Sequence, residues 1–143
     1  MEKNLTKLAD RFDMVDVLRK EVSYPFDEAI ERVEKACTSE GFGVLLTKDV
    51  DTIFRESLGV DYSRYTFILV CAPELAKKAL DTSKDVGTIF PCSFVVYEDN
   101  NRVMVAHTSI MKIAAEIGLV PREAMAPVIE EIGLRVRRVW DKI

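Results

Sequence analysis

Cys37, Cys71, Cys92 and His107 are the side chains in this sequence best suited to attack a substrate, to take a proton near neutral pH or to bind a soft metal. A cysteine is nucleophilic only as the thiolate, which needs a helix N-terminus or a nearby cation to lower its pKa. Cys71 closes an apolar run and stands just before Pro73 and a helical stretch from Glu74 to Leu80, so a helix start lies beside it. Cys92 opens the next run, and if the two strands are antiparallel both thiols fall at the same end of the sheet. That arrangement points to thiol-dependent catalysis or redox chemistry through Cys71 and Cys92. The competing reading makes both of them small buried hydrophobes, as free cysteines usually are, and Cys37 fits that reading best because it sits in the apolar stripe of a helix.

His107 is the only histidine, so any imidazole general base must be this one, with Tyr97 and Glu98 the nearest polar company. No acid partner is visible for it. The alternative is a half-buried strand residue opposite Phe94 whose ring is satisfied by a backbone contact or by Thr108. Three cysteines and one histidine would complete a tetrahedral zinc set, but their separations of 34, 21 and 15 residues lack the short paired spacing of ordinary sites. Neither a metal nor any other cofactor is expected. Pro73 and Pro91 flank the thiols and cannot supply backbone N–H groups to a ladder, so that end of the sheet is a natural place for a pocket. Pro73, Pro91 and Tyr97 are therefore the candidate ligand-binding residues.

Arg135, Arg137, Arg138 and Lys142 cluster near the end of the last helix, where cations suit the negative end of the helix dipole. A solvated face explains them more simply than an anion site. Gly41-Phe42-Gly43 lacks the third glycine and the strand-before-helix context of a dinucleotide loop, so it reads as turn and strand entry.

The elements that must position these residues follow from periodicity. Leu5, Leu8, Ala9 and Phe12 suggest a short first helix before a strand around residues 15 to 22. Pro25 and two acids open a helix whose apolar face is Phe26, Ala29, Ile30, Val33 and Cys37, with Gly41 as its left-handed cap. A strand over 42–47, a short helix over 51–58 ended by Gly59 and a loop over 59–64 come next. Tyr65 to Ala72 is the most apolar stretch, which predicts a central strand covered on both faces. Strands over 93–97 and 102–108 flank Asp99-Asn100-Asn101, and asparagine tolerates the left-handed backbone of a tight hairpin. Counting from that turn pairs Val96 with Val105 and Phe94 with His107. The last helix, from Pro121, shows one stripe of Met125, Ile129, Ile132, Val136, Val139 and Ile143.

Composition agrees with one folded domain over residues 1–143. The 143 residues are 48% hydrophobic and 31% charged with a net charge of −4, an ordinary globular balance. Mild acidity argues against a nucleic-acid partner. The first twelve residues lack the unbroken apolar stretch of a signal peptide, and the longest apolar run is far shorter than a membrane span. No membrane association is expected, and with no CxxC pair or disulfide framework the location expected is the cytoplasm.

Taken in order, Tyr24-Pro25-Phe26-Asp27-Glu28-Ala29, Gly41-Phe42-Gly43-Val44-Leu45, Leu69-Val70-Cys71-Ala72-Pro73, and Pro91-Cys92 followed by Val95-Val96-Tyr97-Glu98-Asp99 resemble the family known as domain of unknown function 302. The likeness spans Ser23 to Ser109, within a family-like core of about residues 15–110 that the helix over about 121–142 closes. The resemblance implies an α+β fold: strand, helix, then four more strands with short helical connections, forming a mostly antiparallel five-stranded sheet. It also implies a homodimer, and it carries over no activity, cofactor or catalytic residue. With helices 26–40 and 121–143 on one face, the other face would be left for a second copy. The function expected is a dimeric, non-catalytic module that binds a small ligand or a protein partner, with the thiol-dependent enzyme as the alternative.

Overall fold

The computed structural model describes residues 17–143, so the helix expected over Leu5 to Phe12 lies outside the described residues. Five strands form a single sheet: β1 (Val17–Val22), β2 (Gly43–Asp49), β3 (Tyr65–Cys71), β4 (Cys92–Asp99) and β5 (Arg102–Thr108). Their spatial order is β1-β5-β4-β3-β2 and every neighbouring pair is antiparallel. The α+β architecture expected from the sequence is the one observed.

Five α-helices connect and cover the strands: α1 (Phe26–Ser39), α2 (Val50–Leu58), α3 (Pro73–Thr82), α4 (Ile110–Glu116) and α5 (Arg122–Lys142). Alternation along each strand sends Thr66, Ile68 and Val70 of β3, Phe94 and Val96 of β4, and Val105 and His107 of β5 to one face, where all are buried. There they meet Phe26, Ala29, Val33 and Cys37 of α1 and Met125, Ile132, Val136 and Val139 of α5. The 3.6-residue stripes and the two-residue alternation thus converge on one core.

Helix α1 ends as its sequence requires. Gly41 has φ +81°, its N–H donates to Thr38 O at 3.2 Å, and Phe42 N–H donates to Cys37 O at 3.0 Å. Those two bonds define a glycine-terminated cap. A Cβ at Gly41 would also stand 3.0 Å from Arg135 Nη1, so glycine is needed both for its backbone and for the approach of α5.

Two expectations change. β3 is not the middle strand: β4 is, and β3 lies one place in from the β2 edge. Nor is β3 covered on both faces, because Tyr65, Leu69 and Cys71 are half-buried and Phe67 is 39% exposed. Apolar content alone gave no sign of which strand is central; that is set by the order of pairing. Two short elements without a clear periodic signal, α4 and a 3-10 turn over Lys84–Ile89, are also present.

The basic cluster on α5 is largely a solvated face, as expected, with ion pairs to neighbouring helices added. Arg135 pairs with Glu74 of α3 at 2.6 Å and with Glu131 at 3.0 Å. Arg138 and Lys142 converge on Glu40 at the end of α1, at 2.7 and 2.8 Å. Arg137 alone of the four forms no ion pair among the described residues.

Candidate functional site

His107 sits in β5 between Leu18 of β1 and Phe94 of β4, its Cα partners on either side. The hairpin turn fixes this placement: Asn100 and Asn101 take φ 49° and 62°, and Asp99 pairs with Arg102, which gives the cross-strand register read from the sequence. Its ring stacks on Phe94 with centroids 4.2 Å apart and planes 19° off parallel. The residue is only 4% exposed.

One imidazole nitrogen is engaged and the other is not. Nδ1 lies 2.8 Å from the carbonyl oxygen of Ser93. A carbonyl can only accept, so Nδ1 carries the hydrogen and Nε2 presents a lone pair. Nε2 is buried and has no hydrogen-bond partner among the described residues. Burial holds the imidazole pKa below its ordinary 6.5, against a smaller upward pull from the Ser93 carbonyl, so the ring is neutral at pH 7.

A cavity of about 610 Å³ adjoins this ring, between the β1–β5 side of the sheet and α5, with Ser109 and Lys112 contributed by the start of α4. Leu18, Ile129, Val136 and Trp140 supply apolar wall; Arg137, Asp141 and Gly133 lie at exposed positions. Lys20 of β1 ties the end of α5 to the strand edge, donating to Trp140 O at 2.6 Å with its ammonium 4.9 Å from the Trp140 ring centroid. Midway along α5, Gly133 offers no side chain, and a Cβ placed there would meet nothing within 4 Å.

The thiol end of the sheet looks different. Val70 pairs with Cys92, so Cys71 and Cys92 do lie at the same end of antiparallel strands, and all three cysteines are free. The hollow that Cys71, Cys92 and Pro91 line holds only about 20 Å³, room for at most a single water. Burial pushes the Cys92 thiol up to about 11 and the Cys37 thiol up to about 12. Cys71 is shifted upward as well, by burial first and then by the carboxylate of Glu74. The helix start beside Cys71 therefore does not make it a ready thiolate.

The other candidates are scattered. Pro73 is the first residue of α3, Pro91 borders the thiol hollow, and Tyr97 stacks on Tyr65 across β3 and β4 with centroids 5.6 Å apart. None of them reaches the cavity beside His107. The cavity's wall was missed at the sequence level because it joins β1, β5 and α5, which are far apart along the chain. Gly133, a glycine inside a helix beside the apolar stripe, was the one local sign. No three His, Cys, Asp or Glu side chains gather to hold a metal ion among the described residues.

An antiparallel five-stranded sheet backed by α1 and α5, with a cavity at its β1–β5 side, defines the class of fold. The family model described as "Domain of unknown function DUF302" matches residues 18–143, and the chain belongs to that family. The match takes in α5 as well as the Ser23 to Ser109 stretch. A solved structure described as "uncharacterized conserved protein DUF302 from Bacillus stearothermophilus" is similar, with a TM-score of 0.72 and 27% identity. The alignment covers 86% of this chain and 97% of that one. No curated protein matches. Among the described residues no helix is long and apolar enough to cross a membrane.

Proposed function

We propose that this protein is a non-catalytic cytoplasmic module that binds a small ligand in the cavity between β5 and α5 and works as a homodimer. The reading rests chiefly on His107 Nε2. A buried polar atom left without a partner costs about 1–3 kcal/mol, and such groups in native proteins usually answer to a ligand or bound water. His107 also lines a cavity of about 610 Å³, inside the ~300–1,000 Å³ range of small-molecule sites. Catalysis is disfavoured because, among the described residues, no hydroxyl, thiol or carboxylate is hydrogen-bonded to the ring to form an activated nucleophile.

Support for the homodimer comes from the sheet face opposite α1. Tyr65, Phe67 and Leu69 of β3 project there beside Val95 and Tyr97 of β4, and Leu46 of edge strand β2 is 50% exposed. A second copy laid on this surface would cover it.

The test is a native mass spectrum of the protein purified from its source, together with the fluorescence of Trp140. Trp140 is the only tryptophan and lines the cavity, so a ligand there must perturb its emission. A retained small molecule whose removal shifts that emission is the expected result. A ligand-free spectrum, with no emission change across a broad set of small molecules, would refute the reading.

A further inference from the structure

We propose that the ligand is an amphipathic organic anion: a flat apolar body carrying a hydrogen-bond donor at its inner end and a carboxylate at its outer end. This inference rests on the small-ligand reading above and narrows it to a chemical class.

The inner end is set by His107. Because Ser93 O fixes the proton on Nδ1, Nε2 can only accept, and a ligand group meeting it must donate: a hydroxyl or an N–H, not a carbonyl or a carboxylate. A carboxylate there would also meet the lone pair of a neutral, buried ring, an arrangement that burial penalises.

The body is set by the walls. Leu18, Ile129, Val136 and the indole of Trp140 give an apolar passage with aromatic character. Flat rings pack on an indole at little entropic cost.

The outer end is set by charge. Arg137 lies at an exposed position and forms no ion pair among the described residues, whereas Arg135 and Arg138 on the same helix are both clamped to carboxylates. Among the described residues Asp141 is the single acid of the lining, and it acts on Lys20 of β1, which also stands by Trp140. With Asp141 so offset, Arg137 is left to receive an anion, and its planar fork suits a carboxylate.

The inference is tested with four matched compounds on the full chain: 4-hydroxyphenylacetate, phenylacetate and the amides of both. Binding is followed by Trp140 fluorescence and by the thermal midpoint. The expected order puts 4-hydroxyphenylacetate first, with loss of the hydroxyl and loss of the charge each weakening binding about tenfold, the scale of one buried hydrogen bond. His107→Phe, which keeps an aromatic ring on Phe94, should abolish only the preference for the hydroxyl. Arg137→Gln should abolish only the preference for the acid. The comparison on the unmodified protein stands even if a variant fails to fold. Equal binding of the amide, or of phenylacetate, overturns the class while leaving a small-ligand site in place. Silence from all four compounds overturns the class; joined to a ligand-free native mass spectrum it overturns the small-ligand reading as well.

Discussion

The Nδ1–H of His107 donates to the carbonyl oxygen of Ser93 at 2.8 Å, and this single bond decides that the other face of the ring is an acceptor. Burial, working against this bond, makes the imidazole a sensor of acid. The folded chain resists a proton that the unfolded chain takes up at the ordinary pKa of 6.5. Stability from this group is therefore fully present above that pH and is lost as the pH falls below it. Lys112, Arg137 and Asp141 are the charged groups that line the same cavity. The urea midpoint should fall between pH 7.5 and pH 5, and His107→Phe should remove that part of the slope. An imidazole NMR titration centred at or above 6.5 would contradict the buried neutral ring.

Gly133 costs α5 helix propensity and leaves space in the cavity. Gly133→Ala should raise stability by about 1 kcal/mol, as expected for a glycine inside a helix with open space at its Cβ. Gly133→Leu should keep the fold and weaken any ligand that shifts Trp140 emission. Thermal melts and fluorescence titrations of both variants give the answer, and unchanged binding in Gly133→Leu would place the ligand elsewhere.

The thiols should be inert in the native state. With Cys37 pushed up to about 12 and Cys92 up to about 11, neither is a thiolate at neutral pH. An aromatic disulfide reagent at pH 7 should leave both unmodified until the protein is denatured, and Cys92→Ala should cost on the order of 1 kcal/mol without changing binding. Rapid modification of Cys71 or Cys92 would instead favour a thiol-dependent function.

Val70→Asp should abolish folding. Val70 is fully buried on the core face of β3, and an unpaired carboxylate there costs several kcal/mol, a large share of the ~5–15 kcal/mol that holds a domain folded. Recovery of a soluble variant with a cooperative melt would show that the core face of β3 tolerates charge.

Phe67, three positions before Val70 on the same strand and on its other face, should behave in the opposite way. Because it points to the exposed face of the sheet, Phe67→Glu should leave the circular dichroism intact and turn a micromolar dimer into a monomer. Sedimentation that finds the unmodified protein monomeric at that concentration would refute the homodimer.

The strands, four of the five described α-helices and the Asn100-Asn101 hairpin could be read from the sequence because their signals are local: periodicity, a proline or glycine at a boundary, asparagines that accept positive φ. From that turn the pairing of His107 with Phe94 followed by counting. Likewise the stripe on α5 announced a helix that must pack. What no local signal carried was the order of the strands, which made β4 rather than β3 central, and the seating of α5 over the β1–β5 side. Those depend on contacts between residues about 120 positions apart, such as Lys20 with Trp140. The same long-range packing separated the crowded thiol end from the open cavity, paired Arg135, Arg138 and Lys142 with carboxylates, and left Arg137 and His107 lining one cavity. The sequence showed which residues could do chemistry; burial and the neighbours supplied by distant segments decided which of them had room to do it.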